Sequence, residues 1–99
     1  MEYITVHGID EYGSYTLNFE GYYDYLIFNI TNNNKTERLL FLSNLKYKEV
    51  HFWSSIKFKV YMYNMKEFDK FLKIRKLLYP YETYVYNREE VIKFFRKDK

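Results

Sequence analysis

The sequence predicts an α+β fold: an antiparallel β-meander followed by a βαβα unit with two helices packed on one sheet face. Three observations carry that expectation. Alternating apolar and polar residues fill the first third of the chain, which is the period of strands with one buried face. The stretch from Ile56 to Tyr63 alternates again. Finally, "VYMYN" at 60–64 and "TYVYN" at 83–87 each run into an acid-led helical pattern. At 99 residues the chain reads as one domain, residues 1–99.

The elements follow in order. Glu2 to His7 alternates weakly and meets "GIDEYG", whose glycines bracket a polar turn. From Ser14 to Glu20, Tyr15, Leu17 and Phe19 fall on one face, and Ser14, Thr16, Asn18 and Glu20 on the other. Gly21 punctuates, and Tyr22 to Thr31 is aromatic and β-branched with apolar side chains on both faces, as a central strand requires. "NNNKTE" at 32–37 reads as a loop. Between Arg38 and Trp53, "LLFLSNL" fits a short helix or a strand turning at Ser43-Asn44; the β-rich "KYKEVHFW" after it favours strand. Trp53 reads as core.

In the Ile56–Tyr63 strand, Ile56, Phe58, Val60 and Met62 form one face and Lys57, Lys59, Tyr61 and Tyr63 the other. Asn64 with Glu67, and Asn87 with Glu90, have the spacing of a helix N-cap and its third-position acid. The Asn side chain accepts from an early free N–H, and the acid favours the positive end of the helix dipole. After Asn64, Met65, Phe68, Phe71, Leu72, Ile74 and Leu78 share one helical side, and Pro80 ends the helix. After Asn87, Val91, Ile92, Phe94 and Phe95 do the same. The doubled phrase is therefore architecture: two strand ends feeding capped helices, their strands parallel or separated by one strand. Shared physical demands explain most of the matches, with internal duplication as the alternative.

Function is less explicit. Cysteine is absent, which excludes disulfides and thiolate metal sites. No glycine-rich phosphate loop, two-histidine helical motif or Gly-x-Ser-x-Gly turn occurs. His51 with Ser54 and Ser55 reads as incidental, and Asp10, Glu11 and Asp24 as solvated acids more than cation ligands, so no catalytic residue, metal or cofactor is expected. There is no long apolar run, and "MEYITV" lacks a signal peptide's basic start and apolar stretch, which predicts a soluble intracellular chain with no membrane partner; no small-molecule substrate is evident in the sequence.

Residues 1–34 carry net −5 and residues 35–99 net +8. Such asymmetry fits either an acidic partner or two halves of one fold that attract each other. The face formed by Lys57, Lys59, Tyr61 and Tyr63, extended by Tyr84 and Tyr86 if the repeated strands align, would set ammoniums beside phenol rings that stack on unpaired bases. The plainer reading is an outer strand face built from long apolar stems, and AT-rich coding alone would raise the Tyr and Lys content. Arg75, on the apolar side of the first helix, reads as snorkelling towards the helix's last carbonyls or as a ligand contact. Exposed tyrosines also suit a protein partner or a homodimer.

"NLKYKEVHFWSSIKFKVYMYNMKEF" and "YPYETYVYNREEVIKFFRK", with the absence of Ala, Gln and Cys and the Tyr, Asn, Ile and Lys bias, resemble the small proteins of crenarchaeal filamentous and rod-shaped viruses. That resemblance implies a virus-encoded, thermostable α+β protein in the cytoplasm of a hot-acid archaeal host, with no assigned activity or site. The expected role is a non-enzymatic accessory protein that binds a host or viral protein or itself, with nucleic acid as the alternative.

Overall fold

The computed structural model describes residues 2–31, 50–52 and 57–96. Its strands are β1 (Glu2–Asp10), β2 (Gly13–Gly21), β3 (Leu26–Thr31), β4 (Val50–Phe52), β5 (Lys57–Met62) and β6 (Thr83–Val85). Its helices are α1 (Met65–Leu78) and α2 (Arg88–Arg96). The strands form one sheet in the order β4-β5-β3-β2-β1-β6, with every adjacent pair antiparallel. The expected α+β fold, meander first and helices on one sheet face, is what the chain adopts. The ambiguous segment 38–47 and Trp53 lie outside the described residues.

The meander forms where alternation placed it. Asp10 pairs with Gly13 around a tight turn, in which the Asp10 carboxylate accepts the Tyr12 N–H at 2.8 Å. Gly13 there holds φ 136°, a conformation open to glycine and strained for other residues. The third strand starts later than the sequence suggests, at Leu26. Tyr22 to Tyr25 turns instead, closed by Tyr22 N–H donating to the Tyr25 carbonyl at 2.8 Å. Leu26, Ile27 and Phe28 are all buried, as a strand with apolar residues on both faces should be.

Ile4, Val6, Leu17, Phe19, Leu26, Phe28, Phe58, Val60 and Met62 point to one face of the sheet and meet Phe68, Phe71, Leu72 and Ile74 of α1 and Val91 and Phe94 of α2. Phe19 is the hub, its ring 5.1 Å from those of Phe28 and Phe68 and 5.6 Å from Phe71. Gly21 lets α2 approach: a Cβ there would sit 2.8 Å from the Phe94 ring.

Both anticipated caps form. The Asn64 side chain accepts from Glu67 N–H at 2.9 Å, and Asn87 accepts from Glu90 N–H at 3.1 Å. The Glu67 carboxylate reaches back to the Tyr63 N–H at 3.1 Å. Helix α1 ends at Leu78, two residues before Pro80, with the Tyr79 N–H donating to the Arg75 carbonyl at 2.9 Å.

The spacing of β5 and β6 differs from the expectation. They run in the same direction, but three strands, β3, β2 and β1, lie between them. The reason is local: β3 and β4 occupy both edges of β5, so the chain leaving α1 finds its open edge at β1. The 14 residues of α1, about 21 Å of helix, are long enough for the roughly 19 Å between strands four places apart.

Candidate functional site

The two helices cover one face of the sheet; among the described residues no element packs on the other. Alternation along β5 puts Lys57, Lys59 and Tyr61 on that uncovered face, opposite buried Phe58, Val60 and Met62. Register extends the face across the sheet: Tyr61 lies opposite Ile27, Ile27 opposite Glu20, and Glu20 opposite Tyr3. In the next rows Lys59 pairs with Asn29 and Lys57 with Thr31.

An array of tyrosines crosses one end of this face. The Tyr25 ring lies 5.4 Å from Tyr61 and 5.7 Å from Tyr63, and stacks on Tyr22 at 5.1 Å with 17° between planes. The Tyr22 hydroxyl donates to one Glu20 oxygen at 3.0 Å, and the Asn29 amide donates to the other at 3.2 Å. That bond to Glu20, and secondarily burial, holds the Tyr22 phenol above its ordinary pKa. Strands β2 and β3 pair only between Phe19–Gly21 and Leu26–Phe28. Past that point they part, leaving a depression of about 550 Å³ lined by Tyr3, Thr16, Asn18, Glu20 and Asn29 among others. Rings, ammoniums and amides on one open face can stack on unpaired bases, follow phosphates and bond to base edges.

The remaining sequence candidates lie elsewhere. Tyr84 and Tyr86 do not extend the platform. Tyr84 pairs with Gly8 on the helix-covered face, half-buried against the core, and its hydroxyl donates to the buried Glu82 at 2.6 Å. Burial, then the bond to Glu82, pushes its pKa up to about 12, with the Arg75 guanidinium pulling the other way. The Tyr86 ring meets Phe68 edge-on at 5.4 Å, and its hydroxyl accepts from Arg88 at 3.3 Å. Arg88 also holds Asp69 through two bonds, 2.6 and 2.9 Å, tying α2 to α1 at the surface.

Arg75 is buried on the same side. Its guanidinium lies 4.8 Å from the Tyr79 ring centre and 5.9 Å from that of Phe28. Cation–π contact and neighbouring Tyr84 thus account for its place on an apolar helix side. Of the acids, Asp10 and Glu11 sit at one end of β2 and Asp24 past the other, about 27 Å along a strand of 9 residues, so they cannot share one ion. The His51 and Ser55 side chains lie outside the described residues.

Sequence reasoning missed Tyr3, Glu20, Tyr22, Tyr25 and Asn29 as parts of the face. Each joins it through cross-strand register or a turn, and only the three-residue spacing of Tyr22 and Tyr25 in "GYYDY" was a local hint.

Among the described residues, fold and face together define a two-layer α+β arrangement in which one Lys- and Tyr-bearing sheet surface carries no packed element. Compared with protein-family models, curated proteins and solved structures, the chain has no significant match.

Proposed function

We propose that the protein is a non-enzymatic binding protein whose open sheet face takes single-stranded nucleic acid. The observation that supports this most is the sharing of one sheet face, uncovered among the described residues, by Lys57, Lys59 and the ring array Tyr22–Tyr25–Tyr61–Tyr63. Stacking on such rings contributes about 1 to 3 kcal/mol per base, and the lysines add a salt-sensitive phosphate term. The compositional resemblance supports, as part of the same reading, an origin in a virus of hot-acid archaea and action in the host cytoplasm. A charged fraction of 29% suits ion-pair stabilisation at high temperature.

The test is fluorescence anisotropy of labelled single- and double-stranded oligonucleotides at low and moderate salt. Binding to the single strand that weakens with salt and is lost in a Lys57→Ala, Lys59→Ala, Tyr61→Ala variant is the expected outcome. No binding at low salt overturns the reading. A protein partner is the second reading, favoured by the exposed aliphatic side chains gathered at one sheet edge.

A further inference from the structure

The exposed large aliphatic side chains among the described residues are Ile9, Leu77 and Val85, at 46, 69 and 51% exposure. All three surround β6. Val85 belongs to that strand and Ile9 is the cross-strand partner of Thr83, so both flank the edge on the open face of the sheet. Leu77 flanks it on the helix-covered face, where α1 and the β6 segment enclose a groove of about 380 Å³ lined by Leu72, Lys73, Lys76, Leu77, Thr83 and Tyr84 among others. Among the described residues β6 pairs on one side only, with β1.

An edge strand bordered by a helix and an apolar-walled groove is the geometry that accepts an extended peptide as an added strand. Backbone hydrogen bonds then supply affinity, and alternate side chains, falling to opposite faces, supply specificity. Here the two faces ask for different chemistry. Outward side chains of an added strand would lie against Val85, and inward ones would point into a groove carrying the ammoniums of Lys73 and Lys76.

We infer that the β6 edge and the α1–β6 groove form a docking site for an extended segment of a protein partner that alternates apolar and acidic residues. Charge selects this occupant over a second copy of the chain: pairing β6 with β6 across a two-fold axis would bring two sets of Lys73 and Lys76 to one groove, and like charges there oppose association. The site is on the far side of the sheet from Lys57 and Lys59 and stands independently of the nucleic-acid reading.

The experiment uses a labelled peptide of about seven residues alternating valine and glutamate, the length of a typical strand. Controls alternate valine and lysine, or carry a central proline that removes a backbone donor. The acidic peptide should bind and shift the backbone amide resonances of Thr83 to Val85, while both controls fail. A Lys73→Glu, Lys76→Glu variant, changed only at exposed positions, should lose the acidic peptide by roughly tenfold or more and gain the basic one. A Lys57→Ala, Lys59→Ala variant should bind the acidic peptide unchanged. Absence of binding to the acidic peptide, shifts confined to residues away from β6, indifference to charge reversal, or sedimentation showing that the chain pairs with itself through this edge would each overturn the proposal.

Discussion

Gly8 and Tyr15 face each other across β1 and β2, and the phenol ring lies over the glycine, so that a Cβ at Gly8 would collide with the ring. Gly8→Ala should therefore cost about 1 to 3 kcal/mol by displacing that ring. In a Tyr15→Ala background the same change should become neutral or stabilising by roughly 0.5 kcal/mol, because a strand glycine is entropically unfavourable once nothing occupies its side-chain space. Urea denaturation of the four proteins in the cycle checks this; equal costs in both backgrounds would rule out the ring contact as the cause. The displaced ring borders a buried polar group. The Tyr15 hydroxyl is buried near Glu82 and Tyr84 without a hydrogen bond of ordinary geometry, and burial first, then these neighbours, raises its pKa. Tyr84 holds its proton up to about pH 12, against about 10 for an unfolded tyrosine. The folded chain thus binds the proton more tightly. This contribution to stability is whole below pH about 10 and is lost as pH rises through about 12. Tyr84→Phe should cost about 1 to 3 kcal/mol at neutral pH, by leaving Glu82 buried without its donor. It should also flatten the fall in urea midpoint between about pH 9 and 12. An unchanged alkaline fall would assign it to other groups.

At the scale of elements, the parts of the fold that were legible in the sequence are those set by neighbours close in the chain. The caps at Asn64 and Asn87 need residues three apart, the buried stripe of α1 repeats every three or four residues, and β5 alternates; all three formed as read. Strand order was not legible, since the placement of β6 depends on which edge the meander and the antiparallel β4–β5 pair leave open. The same limit explains the tyrosines. The repeat aligns Tyr61 with Tyr84, yet Tyr61 faces outward while Tyr84 faces the helices, because the register of β6 sets Tyr84 opposite Gly8, an inner-face position of β1. Two units that share a cap but oppose their sheet faces look more like convergence on helix initiation than a duplicated structure. Cap loss tests the local part of the argument. Asn64→Ala and Asn87→Ala should each cost about 1 kcal/mol in thermal or chemical unfolding, and the corresponding glycine variants only a few tenths. Glycine variants as damaging as alanine would show that the side-chain oxygen is not what holds the helix start.

For the whole molecule, the charge division of the sequence becomes a spatial one. The acidic first third supplies β1, β2 and β3 at the centre of the sheet, and the basic remainder supplies the strands and helices around them. Opposite net charge on adjoining segments needs no partner to explain it, so the net charge of +3 alone cannot argue for a polyanion partner. Only the placement of particular cations can. The Lys57 and Lys59 half of the candidate face was legible from alternation in one strand, whereas its Tyr3, Glu20, Tyr22, Tyr25 and Asn29 half depends on register between distant segments. A competing cationic surface exists on α1, where Lys66, Lys70, Lys73 and Lys76 are all exposed. Salt dependence separates the two. Each phosphate neutralised on a single strand contributes about 0.7 to the slope of log affinity against log salt, so Lys57→Ala with Lys59→Ala should lower the slope by about 1.4. Tyr61→Ala should weaken binding at every salt concentration, by about 1 to 3 kcal/mol, and leave the slope alone, because stacking releases no counterions. A slope that survives loss of both β5 lysines but falls on replacement of Lys66 and Lys70 would move the phosphate path to the helix layer, and the tyrosine face would then have to be explained by packing alone.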